Sequence, residues 1–236
     1  NRFRIGKTNY RTFTLMSIIA ENLLKIKQSL PENVTLVAVS KTKPMSDIQE
    51  AYNAGQRIFG ENKIQEMVDK YDTLPKDIKW HMIGHLQSNK VKYMAHFVDL
   101  IHGVDKFKTL KEINKQAKKH NRIIKCLLQA KIAKEDTKFG LSFSDIEQII
   151  ASEELAELKN IEIVGLMGMA TFTEDKAQLS EEFSSLKTVF NQLKNQHSNL
   201  KILSMGMSGD YELAIKNGSN MVRVGSAIFG ARNYIA

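Results

Sequence analysis

The chain is poor in the residues that build disulfide scaffolds and membrane spans. Among 236 residues there is a single cysteine, Cys126, so no disulfide can form within the chain. A lone cysteine is typical of a reducing compartment, and we expect a cytoplasmic protein. No apolar run reaches the length of a membrane-spanning helix, which predicts no membrane partner.

The positive charge is concentrated at one end of the chain. The formal net charge is +8, and half of it comes from residues 1–15, which hold Arg2, Arg4, Lys7 and Arg11 and no acidic residue. The remaining excess is scattered, unlike the basic stripe of a nucleic-acid-binding surface, so we expect no nucleic-acid partner. Residues 1–15 lack the apolar core of a secretory signal, and we interpret them as an extension preceding one domain, residues 16–236.

From residue 16 onward, short apolar runs alternate with segments of helical periodicity. The spacing predicts strands at 34–40, 57–59, 80–83, 98–104, 123–132, 161–170, 201–205 and 220–224. It predicts helices at 17–30, 46–55, 62–71, 89–96, 106–119, 143–158, 175–197 and 210–217, with a short closing helix after Ser226. Eight strand–helix units predict an α/β fold, a (β/α)8 barrel of the TIM type. An open doubly wound sheet is the alternative, but the glycine fingerprint expected after its first strand is absent.

Two glycine-containing loops follow the seventh and eighth predicted strands. These loops, GMSG at 206–209 and Gly225-Ser226, stand where barrels of this kind often bind phosphate. Glycine lets the backbone approach an anion, and Ser208 and Ser226 add hydroxyl donors beside helix amino termini. The alternative is that both serines are ordinary helix caps.

A lysine, Lys41, ends the first predicted strand. In a closed barrel this strand lies beside the eighth, which places Lys41 next to Gly225-Ser226. A partly desolvated lysine amine can attack a carbonyl and form a Schiff base, and a neighbouring phosphate site suggests pyridoxal 5′-phosphate (PLP) as the aldehyde. Lys43 has the same strand parity, but we expect it to be a solvated loop residue. The structural alternative for Lys41 is pairing with a carboxylate such as Glu61.

Arg223 lies within the apolar run MVRVG, two residues before Gly225. A buried guanidinium needs acceptors, and a bound PLP offers its pyridine nitrogen. Because arginine keeps its proton, it would leave that nitrogen unprotonated and the cofactor a weak electron sink. Pairing with a nearby acid or with backbone carbonyls is the alternative that the residues leave open.

Five motifs occur in order along residues 16–236: AVSKTKP, FGEN, WHMIGHLQSNK, SMGMSGD and MVRVGSAIFGAR. Together they resemble the pyridoxal phosphate homeostasis proteins, which are related to the barrel domain of alanine racemase. The resemblance implies that Lys41 carries the Schiff base, that Arg223 faces the pyridine nitrogen and that Asn62 lines the pocket. It further implies that Ser208, Gly225 and Ser226 hold the phosphate. Lys131 and Ser226 depart from the asparagine and threonine that are frequent in this family.

The resemblance implies a PLP-binding protein of vitamin B6 homeostasis, without catalytic turnover of its own. Free amino acids or enzymes that lack their PLP are the expected recipients, and we expect a monomer. The alternative is a PLP-dependent racemase, which needs acid/base groups on both faces of the substrate. Alanine racemases supply one of these from a second domain, and the sequence ends after the eighth unit. A Schiff-base aldolase fits the barrel but does not require Arg223. His81 and His85 lack a zinc-binding pattern, so no metal is expected.

Overall fold

The computed structural model describes residues 16–135 and 139–231. Residues 1–15, on which the extension was predicted, and residues 232–236 of the predicted domain lie outside the described residues. Eight parallel strands form one closed barrel in chain order, and β1 pairs with β8 to close it. The predicted (β/α)8 barrel is therefore confirmed.

The strands are short and almost entirely buried. They are β1 Thr35–Val39, β2 Ile58–Glu61, β3 Lys79–Met82, β4 Leu100–Val104, β5 Ile124–Ala130, β6 Ile161–Gly168, β7 Ile202–Ser204 and β8 Met221–Val224. All eight coincide with predicted strands, because strands covered on both faces are almost continuously apolar. The predicted fifth strand, 123–132, ends two residues early: after Ala130 the chain pairs only through single contacts with the segment around Leu141.

The helices surround the barrel and follow the predicted pattern with two corrections. They are α1 Ile18–Ser29, α2 Met45–Asn53, α3 Ile64–Thr73, α4 Phe107–Lys119, α5 Phe143–Ala151, α6 Glu153–Ala156, α7 Lys176–Gln196, α8 Tyr211–Lys216 and α9 Ser226–Phe229. The helix predicted at 89–96 is a 3-10 helix, Ser88–Tyr93. The helix predicted at 143–158 is divided at Ser152, whose extended backbone and hydroxyl cap the second piece.

Two hydrophobic cores lie on the two sides of the strands. The larger core lies between the outer face of the barrel and the helices, and it includes Phe59, Trp80 and Phe183. The smaller core fills the inside of the barrel with residues from five strands: Val37, Leu100, Leu127, Val164, Met167 and Met221. Because side chains alternate along a strand, the residues two positions after Val37, Leu127 and Met221 also face inward, and they reach the cavity at the carboxyl-terminal end of the barrel. None of the helices within the described residues is long and apolar enough to cross a membrane.

Candidate functional site

A cavity of about 510 Å³ opens at the carboxyl-terminal end of the barrel. This is the end at which barrels of this class carry their ligand sites. All six residues predicted from the sequence line this one cavity: Lys41, Asn62, Ser208, Arg223, Gly225 and Ser226. The structure therefore brings together residues from four segments that are far apart in the chain.

The register of β1 and the turn that follows it place Lys41 in the cavity. Val37 belongs to the core inside the barrel and pairs in register with Arg223 of the neighbouring strand β8. Val39 and Lys41 follow at intervals of two residues, and both line the cavity. Lys41 is half-buried there, on the same wall as Gly225, as the closure of β1 onto β8 predicts.

The peptides on both sides of Lys41 are held by a buried ionic cluster that the sequence analysis missed. Lys70 Nζ donates to the Ser40 carbonyl at 2.8 Å, to Glu61 Oε1 at 2.8 Å and to Glu66 Oε1 at 2.7 Å. Ser40 Oγ donates to Glu61 Oε1 at 2.5 Å, and the Thr42 N–H donates to Glu66 Oε1 at 2.6 Å. The cluster therefore fixes the backbone before and after Lys41.

These hydrogen bonds offset a strained backbone conformation at Thr42, directly after Lys41. Thr42 has φ of 63°, a left-handed conformation that a β-branched residue rarely adopts. Glu61 is fully buried, and burial raises its pKa to about 7, although the ammonium of Lys70 and the bond from Ser40 act in the opposite direction. A buried carboxylate is retained in a core only where it is paired, as Glu61 is with Lys70. This pair supports the turn that carries Lys41.

Lys43 corrects one expectation from the sequence. It was predicted to be a solvated loop lysine, but its Nζ donates to the carbonyl oxygens of Phe229, Gly230 and Ala231 at 2.9, 3.2 and 3.1 Å. These carbonyls end the short helix α9, where a cation is favourable. Lys43 thus ties the end of α9 to the turn after β1, and its amine has a structural role.

Arg223 lies at the floor of the cavity and is 3% exposed. Nη1 donates to the Ser204 carbonyl at 3.0 Å and to Ser204 Oγ at 2.7 Å, and Nη2 donates to the Gly168 carbonyl at 3.1 Å. Burial lowers the pKa of the guanidinium to about 10, while the carboxylate of Asp210 acts to raise it. Arg223 therefore remains a cation at neutral pH, held largely by backbone carbonyls.

The two glycine-containing loops meet beside Arg223. The Gly225 N–H donates to Ser208 Oγ at 3.2 Å, so the loop after β7 is bonded directly to the loop after β8. Asp210 accepts from the Met207 N–H at 2.6 Å and closes the turn around Ser208. Gly206 has φ of +93°, and a Cβ there would lie 2.7 Å from Ala214, so only glycine fits at the start of this loop. The arrangement leaves the Ser208 hydroxyl proton available for a ligand in the cavity.

Asn62 follows β2 directly, opposite the end of β3. A Cβ on Gly84 would lie 2.4 Å from the Asn62 carbonyl oxygen, so the two backbones are in close contact. This contact explains the glycine in the motif WHMIGH. Ile83, Gly84 and His85 of that motif also line the cavity, as does the segment 169–173 after β6, which the sequence analysis did not assign to the site. Their signal in the sequence is their position at the end of a predicted strand or directly after it.

His81 and His85 have separate partners, although they are four residues apart. His81 Nδ1 lies 3.0 Å from His102 Nε2 inside the barrel, whereas His85 Nδ1 lies 3.3 Å from Asp105 Oδ2 at the cavity rim. Among residues 16–135 and 139–231, no group of three or more histidine, cysteine, aspartate or glutamate side chains is arranged to hold a metal ion. Cys126 is fully buried in β5, and burial raises the pKa of its thiol.

Comparison with known proteins gives consistent matches along almost the whole chain. Residues 16–233 match the family "Alanine racemase, N-terminal domain". The chain is 37% identical over 233 residues to the pyridoxal phosphate homeostasis protein of Escherichia coli K12, covering 93% of this chain and 99% of that protein. It is 40% identical over 209 residues to the protein of the same name from Vibrio alginolyticus, covering 86% and 89% of the two chains.

Solved structures show the same relationship. PipY of Synechococcus elongatus PCC7942, solved without PLP, is 37% identical and superposes with a TM-score of 0.85, covering 90% of this chain and all of PipY. The structure of PipY with PLP bound superposes with a TM-score of 0.82. Alanine racemase of Clostridium difficile 630 shares the fold, with a TM-score of 0.75 at 16% identity, and this chain covers 56% of its length. The chain therefore belongs to the pyridoxal phosphate homeostasis proteins, within the family of the alanine racemase N-terminal domain.

Proposed function

We propose that this protein binds pyridoxal 5′-phosphate in the cavity at the carboxyl-terminal end of its barrel and acts in PLP homeostasis. The observation that carries the proposal is the meeting of three kinds of group in one cavity. These are the amine of Lys41, the buried guanidinium of Arg223 and the two loops that carry Ser208 and Ser226. They match the aldehyde, ring nitrogen and phosphate of PLP, and the related PipY has been solved with PLP bound.

The donors around the cavity fit this ligand. A volume of about 510 Å³ lies within the range of pockets for small cofactors. A guanidinium has five N–H donors, and the contacts of Arg223 with described residues use three of them. Unused donors of a cation that borders a cavity can bind an acceptor that enters it, and a pyridine nitrogen is such an acceptor. Ser208 and Ser226 provide hydroxyl donors for a charged phosphate.

Bound PLP would supply an aldehyde that amines attack and a ring that can accept electrons. Lys41 is the residue that would hold the aldehyde carbon: its unprotonated amine could form a Schiff base there with the loss of water. The cluster of Lys70, Glu61 and Glu66 holds the turn on which Lys41 stands, so the amine is positioned before the ligand arrives.

Arg223 supports a holding function over a catalytic one. Its pKa of about 10 keeps it protonated at neutral pH, so it donates a hydrogen bond and does not deliver a proton to a ring nitrogen. An unprotonated ring nitrogen is a weak sink for the electrons of a carbanion. We therefore propose that the protein holds PLP with little turnover of amino acids, and that free amino acids or enzymes lacking PLP receive the cofactor.

The remaining properties that we propose follow from the sequence and complement this function. We propose a monomer in the cytoplasm, where the single cysteine, Cys126, stays reduced and buried. We also propose that residues 16–236 form the cofactor-binding domain and that residues 1–15 are an extension preceding it.

Borohydride reduction tests the attachment site. Reduction of the PLP-loaded protein should fix a pyridoxyl phosphate group on the peptide that contains Lys41, identified by mass spectrometry. Lys41→Ala should lose the adduct, whereas Lys43→Met should retain it at Lys41. An adduct on Lys43 in the wild type would show that the attachment site is wrong, and the absence of any adduct would contradict covalent binding.

Exchange of the α-proton tests the holding function. In deuterated water, amino acids added to the PLP-loaded protein should exchange their α-proton slowly and show no racemisation, while some PLP leaves with the amino acid. Wild-type turnover of an L- or D-amino acid in the ordinary enzymatic range, on the order of 1–1000 per second, would replace the holding function with a catalytic one.

A further inference from the structure

A row of buried polar side chains runs below the cavity through the inside of the barrel. Ser204 Oγ lies 2.7 Å from Arg223 Nη1 and 3.2 Å from His102 Nδ1. His102 Nε2 lies 3.0 Å from His81 Nδ1, and His81 Nε2 lies 3.4 Å from Asp99 Oδ2. Ser204, His102 and His81 are fully or almost fully buried, and the Asp99 side chain is 45% exposed. These contacts connect the cavity floor to the amino-terminal end of β4.

The carboxylate of Asp99 sets the direction of the bonds in this row. Arg223 can only donate, so Ser204 Oγ accepts from it with one lone pair and keeps its own proton for a bond to His102 Nδ1. Asp99 as a carboxylate can only accept, so His81 carries its proton on Nε2 and has a bare Nδ1. His102 Nε2 must then donate to His81 Nδ1, which agrees with the bare Nδ1 that faces Ser204. The donor at Arg223 is compatible with this assignment.

The opposite direction is not compatible with the same groups. If His102 carried its proton on Nδ1, its bare Nε2 would need a proton from His81 Nδ1. A neutral His81 would then turn a bare Nε2 toward the carboxylate of Asp99, and two lone pairs would face each other. Burial lowers the pKa of both imidazoles, that of His102 well below its usual value, so a doubly protonated ring does not relieve this conflict.

We infer that Ser204, His102, His81 and Asp99 form one directed hydrogen-bond chain that positions Arg223 for the ring of the cofactor. The inference rests on the proposed function, since it assigns positioning residues to the same site. This hydrogen-bond chain holds the Ser204 hydroxyl with a lone pair toward Arg223 Nη1. The carbonyl oxygens of Ser204 and Gly168 accept from Nη1 and Nη2 and hold the same side of the guanidinium. The unused donors of Arg223 are thereby left for the cavity, and the position of the guanidinium depends on residues at the opposite end of the barrel.

The first experiment uses the wild-type protein without PLP. Long-range ¹H–¹⁵N spectra of ¹⁵N-histidine-labelled protein at pH 7.5 distinguish the two tautomers of each of the six histidines. His81 and His102, assigned with His81→Gln and His102→Gln, should both be neutral with the proton on Nε2. A proton on Nδ1 of either ring, or a doubly protonated ring, would overturn the directed chain.

The second experiment asks whether the chain acts on the cofactor site. Ser204→Ala should weaken PLP binding by about threefold to tenfold, the value of one hydrogen bond, and should shift the ¹⁵N signal of the bound ring nitrogen. Ser219→Ala is the matched control, because Ser219 is also a buried serine of this region but bonds to the backbone of Leu203, Met205 and Met221. It should leave both readouts unchanged.

The two experiments separate the inference from the proposed function. If the wild type fails to bind PLP while both rings carry the proton on Nε2, the proposed function is wrong and the chain stands as a structural feature. If PLP binds but Ser204→Ala behaves like Ser219→Ala in affinity and in the ring-nitrogen signal, the positioning role is wrong. A shift with Ser204→Ala alone supports it.

Discussion

Replacing Lys70 with methionine removes the cation at the centre of the cluster beneath Lys41. Lys70 uses all three of its N–H donors, on the Ser40 carbonyl, Glu61 and Glu66. Its side chain is 5% exposed and that of Glu61 is 0% exposed. Breaking a buried ion pair by removing one partner costs about 3–5 kcal/mol, so we expect Lys70→Met to lose several kcal/mol of unfolding free energy.

The loss should depend on pH, because Glu61 can escape its unpaired charge by binding a proton. In the wild type the pKa of Glu61 is about 7, and without Lys70 burial should raise it further. Between pH 6 and pH 8 the wild-type carboxyl ionises and the variant carboxyl stays protonated. The unfolding free energy lost in Lys70→Met should therefore be about 1 kcal/mol larger at pH 8 than at pH 6.

Urea unfolding of the cofactor-free protein at pH 6 and pH 8 measures both quantities. Lys63→Met is the control, since Lys63 stands exposed just before α3 and should change the unfolding free energy by less than about 0.5 kcal/mol. Adding Glu61→Gln to Lys70→Met should recover stability, because a glutamine does not have to take up a proton on folding to be buried uncharged. A loss below about 1 kcal/mol that is equal at both pH values would refute the cluster as an energetic unit.

Three further results are expected. Because the folded-state pKa of Glu61 is raised, its contribution to stability is largest below about pH 4.5 and is lost as the pH rises through about 7. In urea titrations, the unfolding free energy of the wild type should therefore fall by about 2 kcal/mol relative to that of Glu61→Gln between pH 5 and pH 8. An increase would contradict the raised pKa. Ser208→Ala and Ser226→Ala should each weaken PLP binding about tenfold to a hundredfold in absorbance titrations. The wild type should bind unphosphorylated pyridoxal much more weakly than PLP, and equal affinity for the two ligands would show that the phosphate site is misplaced. Lys43→Met should lower the unfolding free energy by about 1–2 kcal/mol, because three carbonyl oxygens lose their donor. Its PLP affinity should stay within about threefold of the wild type. A loss of binding equal to that of Lys41→Ala would contradict the structural role of Lys43.

The sequence predicted the barrel because its signal is local. Each strand is a short apolar run followed by a helical period, so the order and type of the elements could be read without knowing the contacts. The exceptions depend on local hydrogen bonds that composition does not reveal. Ser152 ends one helix and caps the next, and Ser88–Tyr93 forms a 3-10 helix in a segment whose apolar spacing is compatible with an α-helix.

Five of the six predicted cavity residues, all but Asn62, could be found because they stand near the end of a strand or in the loop after it, and parallel strands in a barrel end on the same side. Asn62 was predicted from the family resemblance alone. Contacts from elsewhere could not be predicted in this way. Lys70 lies four residues after Glu66 on α3, a spacing typical of an exposed ion pair, and its burial follows only from the way α3 packs against the turn after β1. The bond from Lys43 to the end of α9 joins residues that are 186 to 188 positions apart.

Two buried cations, Lys70 and Arg223, show how a ligand site differs from a structural pair. Lys70 has three donors and three acceptors, two of them carboxylates, so its charge and its hydrogen bonds are satisfied within the protein. Arg223 has five donors and, among the described residues, bonds through three of them, mainly to neutral carbonyls, while it borders a cavity. Donors that border a cavity can be satisfied by a ligand that enters it. The cation whose donors remain unused is the one arranged for a partner from outside the chain, which is why the site is assigned to Arg223 and its neighbours and not to the equally buried Lys70.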